Sequence, residues 1–254
     1  MLPDDLLDAS VNLIPKHFSL YYWQSAIEGM NLTKTVLNSL LLGILVALTQ
    51  LVVSALVGYG LARFRFKGHK LLFAFVIIIM LVPSSTYSIA QYLQFRYPFG
   101  LNLNMIDTVL PLFFMSLGGI GFKQGLYIYL FATFFRGLPK NLEDAAYVDG
   151  AGSFRTFCSI ILPNSRAVII TVLIFSFSWQ WTDVNYAQLY FNNLKVIPTA
   201  ITSIFIRVGM ADDPTGTAIA RNAACILLIL PLILLYLFGQ KYLTQSISRT
   251  GMAN

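Results

Sequence analysis

Charge is what this 254-residue sequence has least of: Asp, Glu, Lys and Arg together make up 11% of it. Soluble domains carry roughly a quarter. With 57% hydrophobic residues and a mean hydropathy of +0.70, the chain holds more apolar surface than a water-soluble fold of its length can bury. Cysteine is scarce too. Cys158 and Cys225 are the two present, and no metal-ligand spacing surrounds them, so a disulfide framework and a zinc site are excluded. The two histidines, His17 and His69, stand apart, which leaves a membrane-embedded hydrolase without its base. No G-x-x-x-x-G-K-S/T loop occurs, so the chain does not itself hydrolyse ATP. Tandem repeats, low-complexity tracts, linkers and basic patches interleaved with aromatics are absent as well. The net charge of +6 therefore does not point to nucleic acid.

What the sequence has in quantity is apolar runs. A helix needs roughly 20 apolar residues to cross a bilayer core of about 30 Å. Thr35 to Ala62, Leu71 to Phe95, Thr108 to Phe135, Ala167 to Thr182 with its continuation, and Asn222 to Gln240 meet that length. The expected fold is an all-α integral membrane protein with five transmembrane helices in this chain. The third run is interrupted by Lys123 and by Gly118, Gly119, Gly121 and Gly125, which either allow close helix packing or form an irregular segment.

Lysines and arginines favour the cytoplasmic side of short loops. Arg63, Arg65, Lys67 and Lys70 crowd the first connection, and Arg136, Lys140, Arg155 and Arg166 the third. This orientation makes 1–34 an extracellular segment and 35–243 the transmembrane permease domain. Within that domain a loop at 137–164 is cytoplasmic and one at 191–220 extracellular, and 244–254 forms a cytoplasmic tail. Residues 1–34 hold no apolar stretch that could export them, so a first membrane helix is expected ahead of Met1.

The stretch EDAAYVDGAGSFRTFCSIILP, Glu143 to Pro163, is a polar island between apolar runs. Pro139 and Asn141 suit a helix start, Glu143 and Asp144 its first turn, and Asp149-Gly150 its end. A second helix starts at Ser153, with Phe154, Phe157, Ile160 and Ile161 as an apolar stripe, and Pro163 breaks it before the next span. Ala145, Ala146 and Ala151 leave room for a protein surface to come close. An acidic face suits a basic groove better than an anionic bilayer.

Asp144-Ala145-Ala146, Gly150, Ile160 and Leu162-Pro163 resemble the E-A-A loop of the transmembrane subunits of bacterial ATP-binding-cassette (ABC) importers, with Asp144 where Glu is usual and Glu143 just before it. Asn38-Ser39-Leu40, the stretch Gly58 to Gly68, Pro83 and Trp181-Thr182-Asp183 extend the likeness to the smaller carbohydrate permease of the maltose and glycerol-phosphate type. That resemblance implies six spans in the family pattern, location in the bacterial cytoplasmic membrane, and transport by alternating access. It also implies a second permease subunit as heterodimer partner, two ATPase subunits that hold the ATP and Mg, and an extracellular or periplasmic solute-binding protein. This chain then binds no cofactor and is not an enzyme. Glu143, Asp144, Ala145, Ala146, Asp149, Gly150, Leu162 and Pro163 are its expected ATPase-coupling residues.

Polar residues inside spans are costly and usually face a cavity or another helix. On that ground Ser84, Tyr87, Gln91, Lys123, Gln124, Trp179, Gln180, Trp181, Asp183 and Asn185 are the candidates for the substrate path. Each has a plainer reading. Trp181, like Tyr92 and Tyr186, suits an interfacial anchor, Ser84 can serve backbone freed by Pro83, and Lys123 and Asp183 can form a structural pair. Aromatic faces and amides suit an oligosaccharide, and an anionic solute such as an acidic oligosaccharide or glycerol phosphate is the alternative. A secondary transporter would call for inverted repeats with paired broken helices, which the sequence lacks.

Overall fold

The computed structural model describes Asp5 and residues 16–101, 103–202, 204 and 214–251, with the backbone alone at 99 and 243–251. The helices are α1 Tyr21–Met30, α2 Leu32–Arg63, α3 His69–Leu81, α4 Ser88–Arg96, α5 Leu110–Leu117, α6 Gln124–Gly137, α7 Asn141–Val148, α8 Ser153–Asn164, α9 Arg166–Thr182, α10 Asn185–Tyr190, α11 Ile197–Thr202 and α12 Pro214–Gly251. No strand occurs among the described residues, so the all-α expectation holds.

Not every expected span is one helix. By length and composition, α2 and the Pro214–Tyr242 part of α12 can each cross a membrane, and α8 with α9 would make a third if that pair, bent by 81°, counts as one span. The run from Leu71 is divided where Pro83 ends α3: a single turn of tighter helix, Ser84–Thr86, follows, and then α4. The run from Thr108 is divided between α5 and α6.

The chain falls into two compact units, Met1–Leu42 with Trp181–Leu234, and Gly43–Gln180 with Leu235–Asn254. In the first, α1 ends on Asn31 in the left-handed region, and Thr35 Oγ1 donates to the Met30 carbonyl at 2.7 Å, so a one-residue hinge separates α1 from α2. Asn38 Nδ2 donates to the Lys195 carbonyl at 3.0 Å, and Ser39 Oγ accepts the Ile197 N–H at 2.9 Å. The Asn38-Ser39 pair thus fixes the start of α11. Tyr186 and Tyr190, one turn apart, stack with ring centroids 6.0 Å apart, and both are buried.

The second unit is built around α6. Tyr127, Phe131, Phe134 and Phe135 on that helix pack with Ala55 and Tyr59 of α2, Phe157 and Ile161 of α8, and Val168 and Val172 of α9. On another face Ile128 and Ala132 meet Leu61 and Val76. Glycine sets how close the helices come. A Cβ on Gly58 would lie 2.6 Å from the Phe131 Cβ, and one on Gly125 would lie 2.9 Å from the Val76 carbonyl oxygen. Small residues let backbones approach in this way where lipid supplies no hydrophobic drive.

Pro163 stands at the end of α8, which breaks from the next span by an 81° bend as expected. The turn widens over Phe157–Ile161, passes through Leu162–Asn164, and bends at Ser165. A widened turn moves the preceding carbonyls away from the proline ring, which relieves the clash that would otherwise end the helix.

Candidate functional site

The segment 137–164 holds two short helices whose outward faces differ from those expected. α7 starts at Asn141 with Glu143 and Asp144 in its first turn, as the acids' affinity for a helix N-terminus requires. It ends at Asp149 and Gly150. Gly150 takes φ +79, and the Ala151 N–H reaches back to the Ala146 carbonyl at 2.9 Å, closing the helix with the left-handed residue that glycine supplies most readily.

Adjacent acids on a helix point about 100° apart, and these two have different surroundings. Glu143 is buried: its Oε1 pairs with Arg63 Nε at 2.6 Å, while Arg63 Nη2 donates to the Leu138 carbonyl at 3.0 Å. Ala146, one turn on, is also buried, so it does not belong to the outward face that its small size suggested. Asp144, Ala145 and Asp149 are exposed. So are Leu142, Tyr147 and Val148, the last at 88%, and Phe154 at 72%, which leaves the expected stripe to Phe157, Ile160 and Ile161. Leu162 is half-buried and Pro163 exposed. Three side chains meet the C-terminal carbonyls of α2 and the loop after α6: besides Arg63, Arg136 Nη2 donates to the Leu61 carbonyl at 3.3 Å, and a His69 ring nitrogen lies 2.8 Å from the same oxygen.

The second cluster is the interruption between α5 and α6, residues 118–123. Gln124 is fully buried and spent on the backbone: its Oε1 accepts the Gly121 N–H at 2.9 Å and its Nε2 donates to the Ser116 carbonyl at 2.8 Å. It therefore staples the break rather than facing a path. Gln50 of α2 reaches the same segment, donating from Nε2 to the Phe122 carbonyl at 3.3 Å and accepting at Oε1 from Ser176 Oγ. The four glycines divide between the two readings. Gly118, Gly119 and Gly121 belong to the irregular segment, Gly125 to close packing.

Lys123 heads α6 in the left-handed region, φ 59 and ψ 8, and is exposed. Its Nζ lies 5.5 Å from the centroid of the Phe122 ring and 5.2 Å from that of Trp179, and those two rings meet edge to face at 5.7 Å. Trp179 is exposed and Gln180 beside it is buried. Trp181 and Asp183 serve structure in their own unit: the Trp181 indole donates to the Leu228 carbonyl at 2.9 Å, and the Asp183 carboxylate accepts the Tyr186 N–H at 3.0 Å, capping α10. Asn185 is exposed, and Ser84, Tyr87 and Gln91 are half-buried after the Pro83 break. Cys158 and Cys225 are free thiols. No cluster of His, Cys, Asp and Glu fit to hold a metal occurs among the described residues.

Arg63 and Gln50 are the functional neighbours that the sequence reading missed. Helical spacing alone would have separated Glu143 with Ala146 from Asp144 with Tyr147 and Val148, since residues three and four apart share a face. Nothing local pairs Glu143 with a residue 80 positions away.

Comparison with known proteins bears on the whole chain. The family model described as "Binding-protein-dependent transport system inner membrane component" matches residues 39–249. The melibiose/raffinose/stachyose import permease protein of Bacillus subtilis is 26% identical over 237 residues, covering 93% of this chain and 82% of its own. The trehalose/maltose transport system permease protein of Thermococcus litoralis is 26% identical over 211 residues, covering 83% and 72%. Among solved structures, a chain of a bacterial ABC transporter involved in the import of the acidic polysaccharide alginate superposes with a TM-score of 0.73 at 17% identity, over 94% of this chain and 85% of that one.

Proposed function

Because the chain belongs to the family of binding-protein-dependent transport system inner membrane components, we propose that it is one of two permease subunits of a bacterial ABC importer that moves a sugar or oligosaccharide across the cytoplasmic membrane. The names of its relatives support the sugar, since they import melibiose, raffinose and stachyose, or trehalose and maltose. Residues 137–164 and 244–254 face the cytoplasm, and 1–34 and 191–220 face outside, as the basic loops argue. The extracellular solute-binding protein delivers the sugar, and the partner ATPases hold the ATP and Mg.

One observation carries the coupling role. α7 turns Asp144, Ala145, Tyr147 and Val148 outward while Glu143 and Ala146 are buried. An exposed face with an acid beside apolar side chains, outside any span, suits a groove on a protein with basic rims. The buried Arg63–Glu143 pair ties that face to the end of α2, so a push on α7 reaches that helix directly. Closure of the ATPase pair then moves α2 and opens the permeases outward, and reopening after hydrolysis returns them.

The test is attachment of the ATPase. Asp144→Lys and Val148→Asp change exposed side chains of α7 and leave the spans untouched, so both variants insert and pair with the second permease. Co-purification of the ATPase is lost in each. Wild-type recovery of the ATPase with both variants would make the island a linker and remove the coupling role.

A further inference from the structure

Lys123 joins four features that have no common purpose in a structural role. It is a non-glycine residue at φ 59, a conformation that L side chains disfavour and that persists where surroundings over-determine it. Its ammonium is held over Phe122 and Trp179 at 5.5 and 5.2 Å. Among the described residues of its unit, no carboxylate stands within ion-pair distance of it. It closes a stretch of irregular backbone, 118–123, between two apolar helices.

Depth makes these features a site. From Gly137 back to Lys123 along α6 is about 21 Å at about 1.5 Å per residue. From Arg166 to Trp179 along α9 is about 20 Å on the same rise. With the Gly137 and Arg166 ends of the two helices at the cytoplasmic face, as the basic loops argue, these lengths set the ammonium and its aromatic wall well inside the span. There the two rings give the ammonium its cation–π partners. Irregular backbone at that depth is tolerated only inside protein or along water, and an exposed cation there calls for water or an anion.

We propose that Lys123, with the Phe122 and Trp179 rings, is a subsite that receives the carboxylate of an acidic sugar, the rings taking the apolar face of the pyranose and the ammonium its charge. This rests on the reading of the chain as a sugar-importer subunit and narrows its substrate class to oligosaccharides that carry uronate. A neutral sugar brings the exposed ammonium hydroxyl acceptors but does not bring it an opposite charge. A uronate does, and charge-assisted hydrogen bonds are the strong ones.

Uptake into vesicles that hold the complete transporter and its solute-binding protein tests the assignment, with galacturonate and guluronate oligomers set against glucose and galactose oligomers of equal length. Wild type takes up the uronate oligomers. Lys123→Met lowers their uptake at limiting concentration about tenfold to a hundredfold, a loss of the size that a charged hydrogen bond commands, and leaves any uptake of neutral oligomers within about twofold. Lys123→Arg keeps the charge and retains most of the uronate uptake, which separates loss of charge from loss of fold. Equal losses on both sugar classes in Lys123→Met, or no loss, would overturn the subsite. Wild-type uptake confined to neutral oligomers would overturn it while leaving the importer reading intact. ATP-dependent uptake of neither class would overturn the sugar-importer reading, and the subsite with it.

Discussion

Glu143 and Asp144 are neighbours of one chemical kind, and their surroundings give them opposite work: the first is buried in an ion pair and the second is exposed. Glu143→Ala removes a buried carboxylate 2.6 Å from Arg63 and leaves a buried guanidinium that still donates to the Leu138 carbonyl. Breaking a buried pair from one side costs about 3–5 kcal/mol, and alanine favours the helix, so the loss cannot come from propensity. Since about 1.4 kcal/mol is tenfold, local opening of α7 rises about a hundredfold to a few thousandfold. Asp144→Ala removes an exposed first-turn acid, worth about 0.3–1 kcal/mol through the helix dipole, which is less than about sixfold. Hydrogen exchange at the amides of 141–150 in the purified permease reads both numbers. The expected result is a large loss of protection in Glu143→Ala and a small one in Asp144→Ala, with Arg63→Met restoring part of the former because the orphaned charge is gone. Equal effects, or a larger effect at Asp144, would refute the division of labour.

The other predictions address the frame around the two sites. Gly58→Ala overpacks the α2–α6 contact by about 1–3 kcal/mol, seen as a lower midpoint of thermal unfolding. Phe131→Ala does not rescue it, because the clash is with the Cβ that alanine keeps. Gln124→Leu leaves the Gly121 N–H unpaired and takes one of two donors from the Ser116 carbonyl, which keeps the Gly119 N–H at 3.3 Å, lowering thermal stability by about 1–3 kcal/mol while the ratio of rates between different sugars stays unchanged. A shifted sugar preference would return Gln124 to the path. Gly150→Val strains the end of α7 by about 1–2 kcal/mol, since φ +79 disfavours a β-branched residue, and weakens ATPase attachment without changing the yield of membrane-inserted protein. In a background with Cys225→Ala, the exposed Cys158 reacts with a membrane-impermeant maleimide only after the cells are opened; reaction in intact cells would invert the topology.

Elements whose cause is local were legible in the sequence, and contacts between distant segments were not. The bounds of α7 follow from Asn141, the first-turn acids and Gly150, all signals within one helical turn of its ends. The long run opening at Thr35 became one helix because nothing in it breaks α2 before Arg63. The runs from Leu71 and Thr108 did not, since Pro83 and the glycines from 118 onward permit, but do not dictate, a departure from helix. At Pro163 the break before the next span was legible, and the widened turn upstream that accommodates the ring was not. Among candidate site residues, polarity in an apolar run marked Lys123 and Gln124 equally. Only the fold separates them, since one amide finds two backbone partners and the ammonium finds aromatic rings. The same limit hid the tie from Glu143 to Arg63, while Asn38-Ser39, noted for its resemblance alone, proved to hold the chain at Lys195 and Ile197.

The claim on which the rest depends is that the outward face of α7 lies against an ATPase. A photo-crosslinking amino acid placed at Val148, which is 88% exposed, and separately at Phe238 of α12, which is 80% exposed, tests it in native membranes. The expected result is an adduct of ATPase mass from position 148 that weakens when the transporter is trapped without nucleotide, and no such adduct from position 238. Lipid or permease adducts alone from position 148, or an ATPase adduct from position 238 as well, would contradict it.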